Sequence, residues 1–297
     1  MKDILSEIVA HKREEINALK ERMPVDKIYV NACYHPTASL RNALETSSHG
    51  IIAEFKRRSP SKGWIKREAK PSDIIPGYRK SGAAALSVLT DEKYFGGTLD
   101  DVLAARPLAD IPILRKDFTV DEYQLHQACA AGADTVLLIA ATLGVNECRH
   151  LAAVAHELKL ETVLEVHCEN ELEYVNDNID IIGVNNRNLG TFITNTANSE
   201  YLAPKLPVSI TRISESGIKD AQTILRLQFP VLPNEYGTHP GFQDSCHPDP
   251  SYQKYEKSVL PGHPDTKNQP YPHFVLEIQT SFPFPVTERS GTASLYC

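Results

Sequence analysis

The chain has 297 residues, of which 41% are hydrophobic, enough for one large α/β domain or two smaller ones. Its formal net charge of −7 argues against a general nucleic-acid or membrane-binding surface, although a local basic patch could still bind a small anion. No segment approaches the ~20 consecutive apolar residues of a membrane helix, and charged residues interrupt any N-terminal signal peptide, so we expect a cytoplasmic protein without nucleic-acid or membrane partners.

The first 48 residues are predicted to form a helical extension. Residues 4–22 place apolar side chains at helical spacing among many charged ones and stop before Pro24, which is typical of an amphipathic helix. A second short helix is predicted after Ser39, a favourable N-cap residue. Residues 1–48 are therefore the first of three predicted regions.

A regular alternation of strands and helices is predicted for residues 49–227. The helix predicted at 146–158 carries an apolar stripe, and the one at 121–131 ends before Gly132, a good C-terminal cap. The predicted strands lie near residues 50–56, 84–90, 111–116, 134–139, 161–167, 180–185 and 208–215. Such repeats imply parallel strands with right-handed crossovers, in a doubly wound sheet or a (β/α)₈ barrel.

Polar residues at the strand ends decide between these two folds. Because successive strand side chains point to opposite faces, Glu54 and Lys56 share one face at the end of the first predicted strand. Four later strands finish in the same way, with Lys116, Glu165, Asn185 and Glu215. An isolated Glu54–Lys56 ion pair would explain the first strand but not the repetition. Since the inward rows of a barrel converge at one C-terminal mouth, the pattern predicts an α/β fold of the (β/α)₈ TIM-barrel type.

The eighth βα unit of this barrel is missing or replaced in the sequence. After the helix predicted at 218–227 no convincing strand follows, and residues 229–297 contain 11 of the 20 prolines and 4 of the 11 histidines. Only residues 274–278 look strand-like, so 228–297 are predicted to be an aberrant Pro-rich tail that is irregular or disordered. The composition also suggests that this segment is translated from another reading frame. Reading the coding DNA past codon 228 in the other two frames would test this hypothesis. Without an eighth strand, strands one and seven would have open edges.

The cysteine and histidine spacings predict neither a metal site nor a disulfide framework. The six cysteines are scattered without CxxC spacing, which suits a reducing cytoplasm. The histidines of the tail also lack metal-ligand spacing with these cysteines.

Seven ordered sequence blocks resemble one known family, indole-3-glycerol phosphate synthase. The blocks are IIAEFKRRSPSKG, ALSVLTDEKYFGG, LRKDFTVDEYQ, ADTVLLIAATL, LEVH, IIGVNNRNL and SESGI. The resemblance covers about residues 1–227 and implies a (β/α)₈ barrel whose N-terminal helical segment helps to cover the mouth. It also implies ring closure of 1-(2-carboxyphenylamino)-1-deoxyribulose 5-phosphate, with loss of carbon dioxide and water, in tryptophan biosynthesis. No metal or organic cofactor is implied.

The resemblance assigns catalytic roles to four residues. Lys116 corresponds to the general acid that protonates the substrate carbonyl as the aromatic carbon attacks. Glu165 corresponds to the general base of rearomatisation and dehydration. Lys56 would orient the substrate carboxylate or serve as an acid in the dehydration, and Glu54 would hold Lys56 or a hydroxyl group of an intermediate. Carbonyl activation needs a proton donor near the developing alkoxide, so these residue types suit the chemistry.

The resemblance also assigns substrate-binding positions, and it leaves the phosphate site incomplete. The polar positions are Ser59, Asn185, Arg187, Glu215, Ser216 and Gly217, and the apolar walls for the anthranilate ring are Phe95, Phe118 and Leu137. In phosphate-binding barrels the phosphate is usually held by the loops after strands seven and eight. The family's eighth strand, an apolar run ending in glycine and a small polar residue, has no counterpart after Leu227. Half of the phosphate cradle is therefore predicted to be missing.

Two other functions remain open. A Schiff-base aldolase acting on another phosphorylated sugar would use Lys116 or Lys56 as its nucleophile. A truncated or frameshifted family member would retain the site residues without activity. His167, which shares a face with Glu165, is predicted to support the site rather than to react. The expected partner is a small phosphorylated molecule, and the sequence fixes no oligomeric state, a monomer being compatible with it.

Overall fold

Helices and strands alternate in the computed structural model, which describes residues 4–29, 37–48, 50–228 and 274–279. The barrel strands are β1 (Ile51–Phe55), β2 (Ala85–Leu89), β3 (Ile113–Lys116), β4 (Thr135–Ile139), β5 (Glu161–Val166), β6 (Ile181–Asn185), β7 (Thr211–Glu215) and β8 (Phe274–Gln279). The helices are α1 (Ile4–Arg22), α2 (Val25–Ile28), α3 (Leu40–Thr46), α4 (Pro71–Lys80), α5 (Glu92–Phe95), α6 (Leu99–Ala105), α7 (Glu122–Ala131), α8 (Val145–Glu157), α9 (Ala197–Leu202) and α10 (Ala221–Gln228).

The eight strands form one closed parallel barrel in which each strand pairs with its neighbours in chain order. The predicted TIM-barrel fold is therefore confirmed, with all seven predicted strands in place. Helices α1, α7 and α8 match their predicted ranges within one residue. The caps are those expected from the sequence: Asp121 accepts a hydrogen bond from Tyr123 N at the start of α7 (2.9 Å), and Gly132 ends this helix in the left-handed conformation.

Strand β8 closes the barrel, so the prediction that strands one and seven have open edges is wrong. It pairs in parallel with β1 on one side and with β7 on the other. The strand-like run at 274–278 thus takes the place of the eighth strand, which was expected directly after α10. The sequence pattern did not place it in the barrel because connections between such elements are usually short, whereas 229–273 intervene here. Residues 229–273 and 280–297 of the predicted tail lie outside the described part of the chain, whereas 274–279 form a strand and not the irregular segment that was predicted.

Two apolar layers hold the barrel together. Inward side chains such as Leu114 and Val163 fill the interior, while outward ones such as Val88 and Leu164 pack under the helices; all four are buried. The period of two along each strand sorts the side chains between these layers. Burying one side chain of this size stabilises the fold by about 1.5–3 kcal/mol.

The N-terminal extension covers both ends of the barrel. Helix α1 brings Ile8 to the interior layer at the C-terminal mouth. At the opposite end Leu40 of α3 is fully buried, and Ser39 Oγ donates to Glu161 Oε1 at the start of β5 (2.5 Å). Helix α1 therefore covers one side of the mouth, and α3 covers the opposite end of the barrel.

One expectation about the cysteines is wrong, because Cys168 is disulfide-bonded. Cys129 and Cys148 are free thiols. Among the described helices none is both long and apolar enough to cross a membrane.

Candidate active site

Three strand ends bring two glutamates and two lysines together at the mouth. Lys56 Nζ lies 2.5 Å from Glu54 Oε1, and Lys116 Nζ lies 3.5 Å from Glu54 Oε2. Lys116 Nζ is also 2.9 Å from Glu215 Oε2. Both carboxylates are buried, whereas the two lysines keep a small exposed fraction. The predicted Glu54–Lys56 pair is thus one part of a row in which acidic and basic groups alternate.

The row keeps Glu54 ionised despite its burial. Burial raises the pKa of this carboxyl group, but the charges of Lys56 and Lys116 outweigh that effect, so the pKa is lowered overall. Lys116 therefore stays beside the negative Glu54, and its contacts with Glu54 and Glu215 fix the direction of its N–H groups. Such an ammonium group can give one proton to an oxygen that enters the mouth.

A second carboxylate, Glu165, ends strand β5. Asn185 Nδ2 donates to its Oε1 (3.0 Å), and His167 Nε2 lies 3.2 Å from the same oxygen. Burial raises the pKa of Glu165, but contacts with His167, the charge of Lys116 and the hydrogen bond from Asn185 together lower it to about 2. Glu165 is therefore a carboxylate at neutral pH, which is the form that a base requires.

His167 links Glu165 to a third acidic residue. Its Nδ1 lies 3.3 Å from Glu171 Oε2, and the ring is buried. Burial lowers the pKa of His167, but Glu165 and Glu171 outweigh this and raise it to about 10. The imidazolium form thus stays next to Glu165, in keeping with the supporting role predicted from the sequence.

A cavity of about 110 Å³ lies above these charged groups. Its apolar wall includes the predicted residues Phe95, Phe118 and Leu137, and the two phenylalanine rings have centroids 6.1 Å apart. Helix α1 completes the wall with Ile4, Leu5 and Ile8, which sequence reasoning did not assign to the site. The apolar stripe of α1 was visible in the sequence, but such a stripe does not say which part of the barrel it covers.

Ten of the thirteen predicted site residues line this cavity. They are Glu54, Lys56, Phe95, Lys116, Phe118, Leu137, Glu165, Asn185, Arg187 and Ser216. Of the other three, Glu215 contacts the site through Lys116. Ser59 is buried, and its Oγ accepts from Lys62 N (3.2 Å), so it holds its own loop. Gly217 follows Ser216 at the end of β7.

Comparison with known proteins identifies the family. The model for indole-3-glycerol phosphate synthase matches residues 5–230. The chain belongs to the indole-3-glycerol phosphate synthase family. The synthase from Bacteroides thetaiotaomicron is 56% identical over 229 residues, covering 77% of this chain and 88% of that protein. The synthases from Neisseria meningitidis serogroup B and Azoarcus sp. are 43% and 42% identical, each covering 73% of this chain and 86% of the relative.

Indole-3-glycerol phosphate synthases are carboxy-lyases of tryptophan biosynthesis that act on a phosphorylated small molecule. The family match ends at residue 230, close to the end of α10 and to the boundary predicted at 227. Strand β8 therefore comes from residues beyond the family match. The loop after β8 lies outside the described residues, and the incomplete phosphate cradle stays a prediction.

Two consecutive left-handed residues follow β7, at positions that the sequence resemblance predicts to bind substrate. Ser216 has φ +67° and Gly217 has φ +80°. A Cβ atom on Gly217 would lie 2.6 Å from Thr194 Cγ2, so glycine is required there for space as well as for conformation. This turn brings Ser216 to the cavity wall.

Arg187 joins two loops beside the cavity of this synthase family member. Its Nη1 donates to Ser61 Oγ in the loop after β1 (3.3 Å), and its Nε donates to Thr194 Oγ1 in the loop after β6 (3.3 Å). Both bonds are long, and the side chain also lines the cavity. An arginine so placed can exchange weak neutral partners for a charged substrate group.

Gly183 in β6 makes room for Glu215 on the neighbouring strand. A Cβ atom at this position would lie 2.1 Å from Glu215 Oε1. We expect Gly183→Ala to push the carboxylate away from Lys116 and to lower kcat about 10²-fold, the typical cost of a 1 Å displacement in an active site. Steady-state kinetics on the purified protein measures this effect.

Gly144→Ala is the matched control for this prediction. No atom lies within 4 Å of a Cβ at Gly144, and its φ of −80° suits any residue. This variant should keep the wild-type kcat. Wild-type kcat in Gly183→Ala as well would show that the position of Glu215 does not matter for turnover.

Proposed function

We propose that this chain converts 1-(2-carboxyphenylamino)-1-deoxyribulose 5-phosphate into indole-3-glycerol phosphate, carbon dioxide and water. The observation that carries the proposal is the arrangement of Lys116 between Glu54 and Glu215, with Glu165 and an apolar wall around the same cavity. An acid, a base and an apolar slot are the groups that this sequence of steps requires. Membership of the synthase family supports the same reaction.

Ring closure is assigned to Lys116. The aromatic carbon that carries the carboxylate attacks the carbonyl carbon of the ribulose chain, and the carbonyl π electrons move to its oxygen. Lys116 gives a proton to this oxygen and becomes a neutral amine. Protonation as the C–C bond forms avoids a free alkoxide next to Glu54 and Glu215, which supports the assignment.

Decarboxylation follows from the ring closure itself. The attack leaves a cationic imine β to the carboxylate, so the C–CO₂ bond can break and its electron pair neutralises the imine. The aromatic ring is restored and a hydroxylated dihydroindole remains. The wall of Phe95, Phe118 and Leu137 favours this step, because an apolar environment destabilises the carboxylate relative to neutral carbon dioxide.

Dehydration is assigned to Lys56 and Glu165. Lys56 gives a proton to the hydroxyl group, which leaves as water, while Glu165 takes a proton from the five-membered ring and the C=C bond forms. Glu54 holds Lys56 at 2.5 Å, and Asn185 and His167 fix the Glu165 carboxylate. A base of low pKa is sufficient here because the departing hydroxyl makes the ring proton acidic.

Two assays on the purified chain test this function. With the carboxyphenylamino substrate, the absorbance and fluorescence of an indole should appear. Borohydride added during turnover should trap no lysine adduct, because none of the proposed steps forms an imine with the protein. A trapped adduct at Lys116 or Lys56 would instead support the Schiff-base aldolase. Well-folded protein that forms no indole would support the inactive family member, which the replaced eighth strand and the unmatched tail favour.

A further inference from the structure

Lys12 is a fully buried cation in the middle of helix α1. Its Nζ lies 3.0 Å from Asp91 Oδ2, 3.2 Å from Asp117 Oδ1 and 3.0 Å from Glu15 Oε2. Both aspartates are buried as well. Charged groups are removed from water in this way only when they are closely compensated.

The two aspartates lie at the ends of neighbouring strands. Asp91 comes shortly after β2 and caps α5 by accepting a hydrogen bond from Tyr94 N (2.7 Å). Asp117 directly follows Lys116 of β3. It accepts hydrogen bonds from Thr90 Oγ1 (2.8 Å) and from Arg115 Nη2 (2.9 Å). The residues on both sides of Lys116 are therefore fixed in a cluster that Lys12 completes.

Other contacts show that α1 does not depend on Lys12 alone for its position. Arg13 Nη2 lies 2.8 Å from Glu147 Oε1, and Lys20 Nζ lies 2.6 Å from Asp121 Oδ2; both pairs are partly exposed. Ile8 and Ile16 are buried along the same helix. These contacts can keep the helix on the barrel, whereas Lys12 is the α1 cation that reaches the groups around Lys116.

We propose that Lys12 is a positioning residue for Lys116. Through Lys12, the packing of helix α1 on the barrel aligns the catalytic ammonium group. The inference rests on the proposed function for the role of Lys116. The neutralised Asp117 holds the end of β3 so that Lys116 Nζ stays 2.9 Å from Glu215. Because α1 also supplies the cavity wall through Ile8, the wall and the proton donor come into place together.

Lys12→Met tests this role, with Lys20→Met as the matched control on the same helix. In Lys12→Met we expect kcat to fall about 10- to 100-fold, the scale for a misplaced catalytic group, while KM changes little because α1 stays seated. Lys20→Met should keep both constants. A Lys12→Met variant with wild-type kcat, or with only a raised KM, would overturn the proposal in favour of a purely structural role.

Chemical labelling supplies a readout that does not depend on turnover. Acetylation of Lys116 by a small acylating reagent, followed by mass spectrometry, should be faster in Lys12→Met than in the wild type and Lys20→Met. Equal labelling rates in all three proteins would overturn the proposal. If the wild type forms no indole, the proposed function fails while this labelling result still decides the role of Lys12.

A double variant covers the case in which Lys12→Met does not fold. Asp91→Asn removes one of the carboxylates left unpaired and still caps α5, since asparagine is a good N-cap residue. The folded Lys12→Met/Asp91→Asn protein should retain the low kcat and the fast labelling of Lys116. Recovery of both to wild-type values would contradict a positioning role.

Discussion

We expect Lys116→Met to lower kcat by about 10²–10⁴-fold, the usual contribution of a general acid. Without the ammonium group the developing alkoxide receives no proton in the transition state, so carbon dioxide and indole should both form only at this reduced rate. The substitution also leaves Glu54 and Glu215 without a shared partner, at a cost in folding free energy of about 3–5 kcal/mol. A thermal melt of the variant must therefore accompany the steady-state kinetics.

Lys116→Arg separates charge from proton transfer. The guanidinium group keeps the ion pairs with Glu54 and Glu215, but it does not give up a proton near neutral pH. This variant should be folded and as slow as Lys116→Met. Lys205→Met is the control, because Lys205 also pairs with a glutamate, Glu169, but at the surface. Arginine at 116 with nearly wild-type kcat would show that a positive charge is sufficient and that Lys116 is not the acid.

For Glu165→Gln we also expect a loss of about 10²–10⁴-fold in kcat, since a base is removed. The order in which the two products appear should differ from that in Lys116→Met. Glu165 is proposed to act after decarboxylation, so a single turnover should release carbon dioxide before indole appears. Rapid-quench measurements of both products on the same sample detect this separation. In Lys116→Met the two products should instead be suppressed together.

Glu169→Gln is the matched control for the base. Glu169 is exposed and contacts Lys205 and Tyr201, away from the cavity. Its substitution should change neither product. Simultaneous loss of carbon dioxide and indole in Glu165→Gln would place Glu165 in the first step and contradict the assigned order.

The alternation of side chains along the strands explains why so much of the site was predictable. Glu54, Lys56 and Lys116 were found because polar residues at the ends of inward rows of a parallel barrel must meet at one mouth. The sequence resemblance then separated these groups into acid and base roles. The pairing itself was less predictable: Glu54 contacts Lys116 as well as Lys56, and this depends on the stagger of neighbouring strands.

Features that depend on contacts between distant segments were not predictable. Lys12 looks in the sequence like one of many charged residues of an amphipathic helix, yet it is buried against acids more than seventy residues away. The need for glycine at 183 was not predictable either, because the approach of Glu215 is a property of two adjacent strands. Strand β8 was visible as a strand-like run, but its place in the barrel depends on pairing with β1 and β7.

Carbon dioxide release from a labelled substrate tests the proposed reaction most directly. The purified chain would receive substrate carrying ¹³C in the carboxylate of the anthranilate ring, and ¹³C NMR would be recorded together with indole fluorescence. The proposed mechanism predicts that the label leaves entirely as carbon dioxide and bicarbonate, in equal amount to the indole formed. A product that keeps the label in its carboxylate, or folded protein that releases no label, would contradict it.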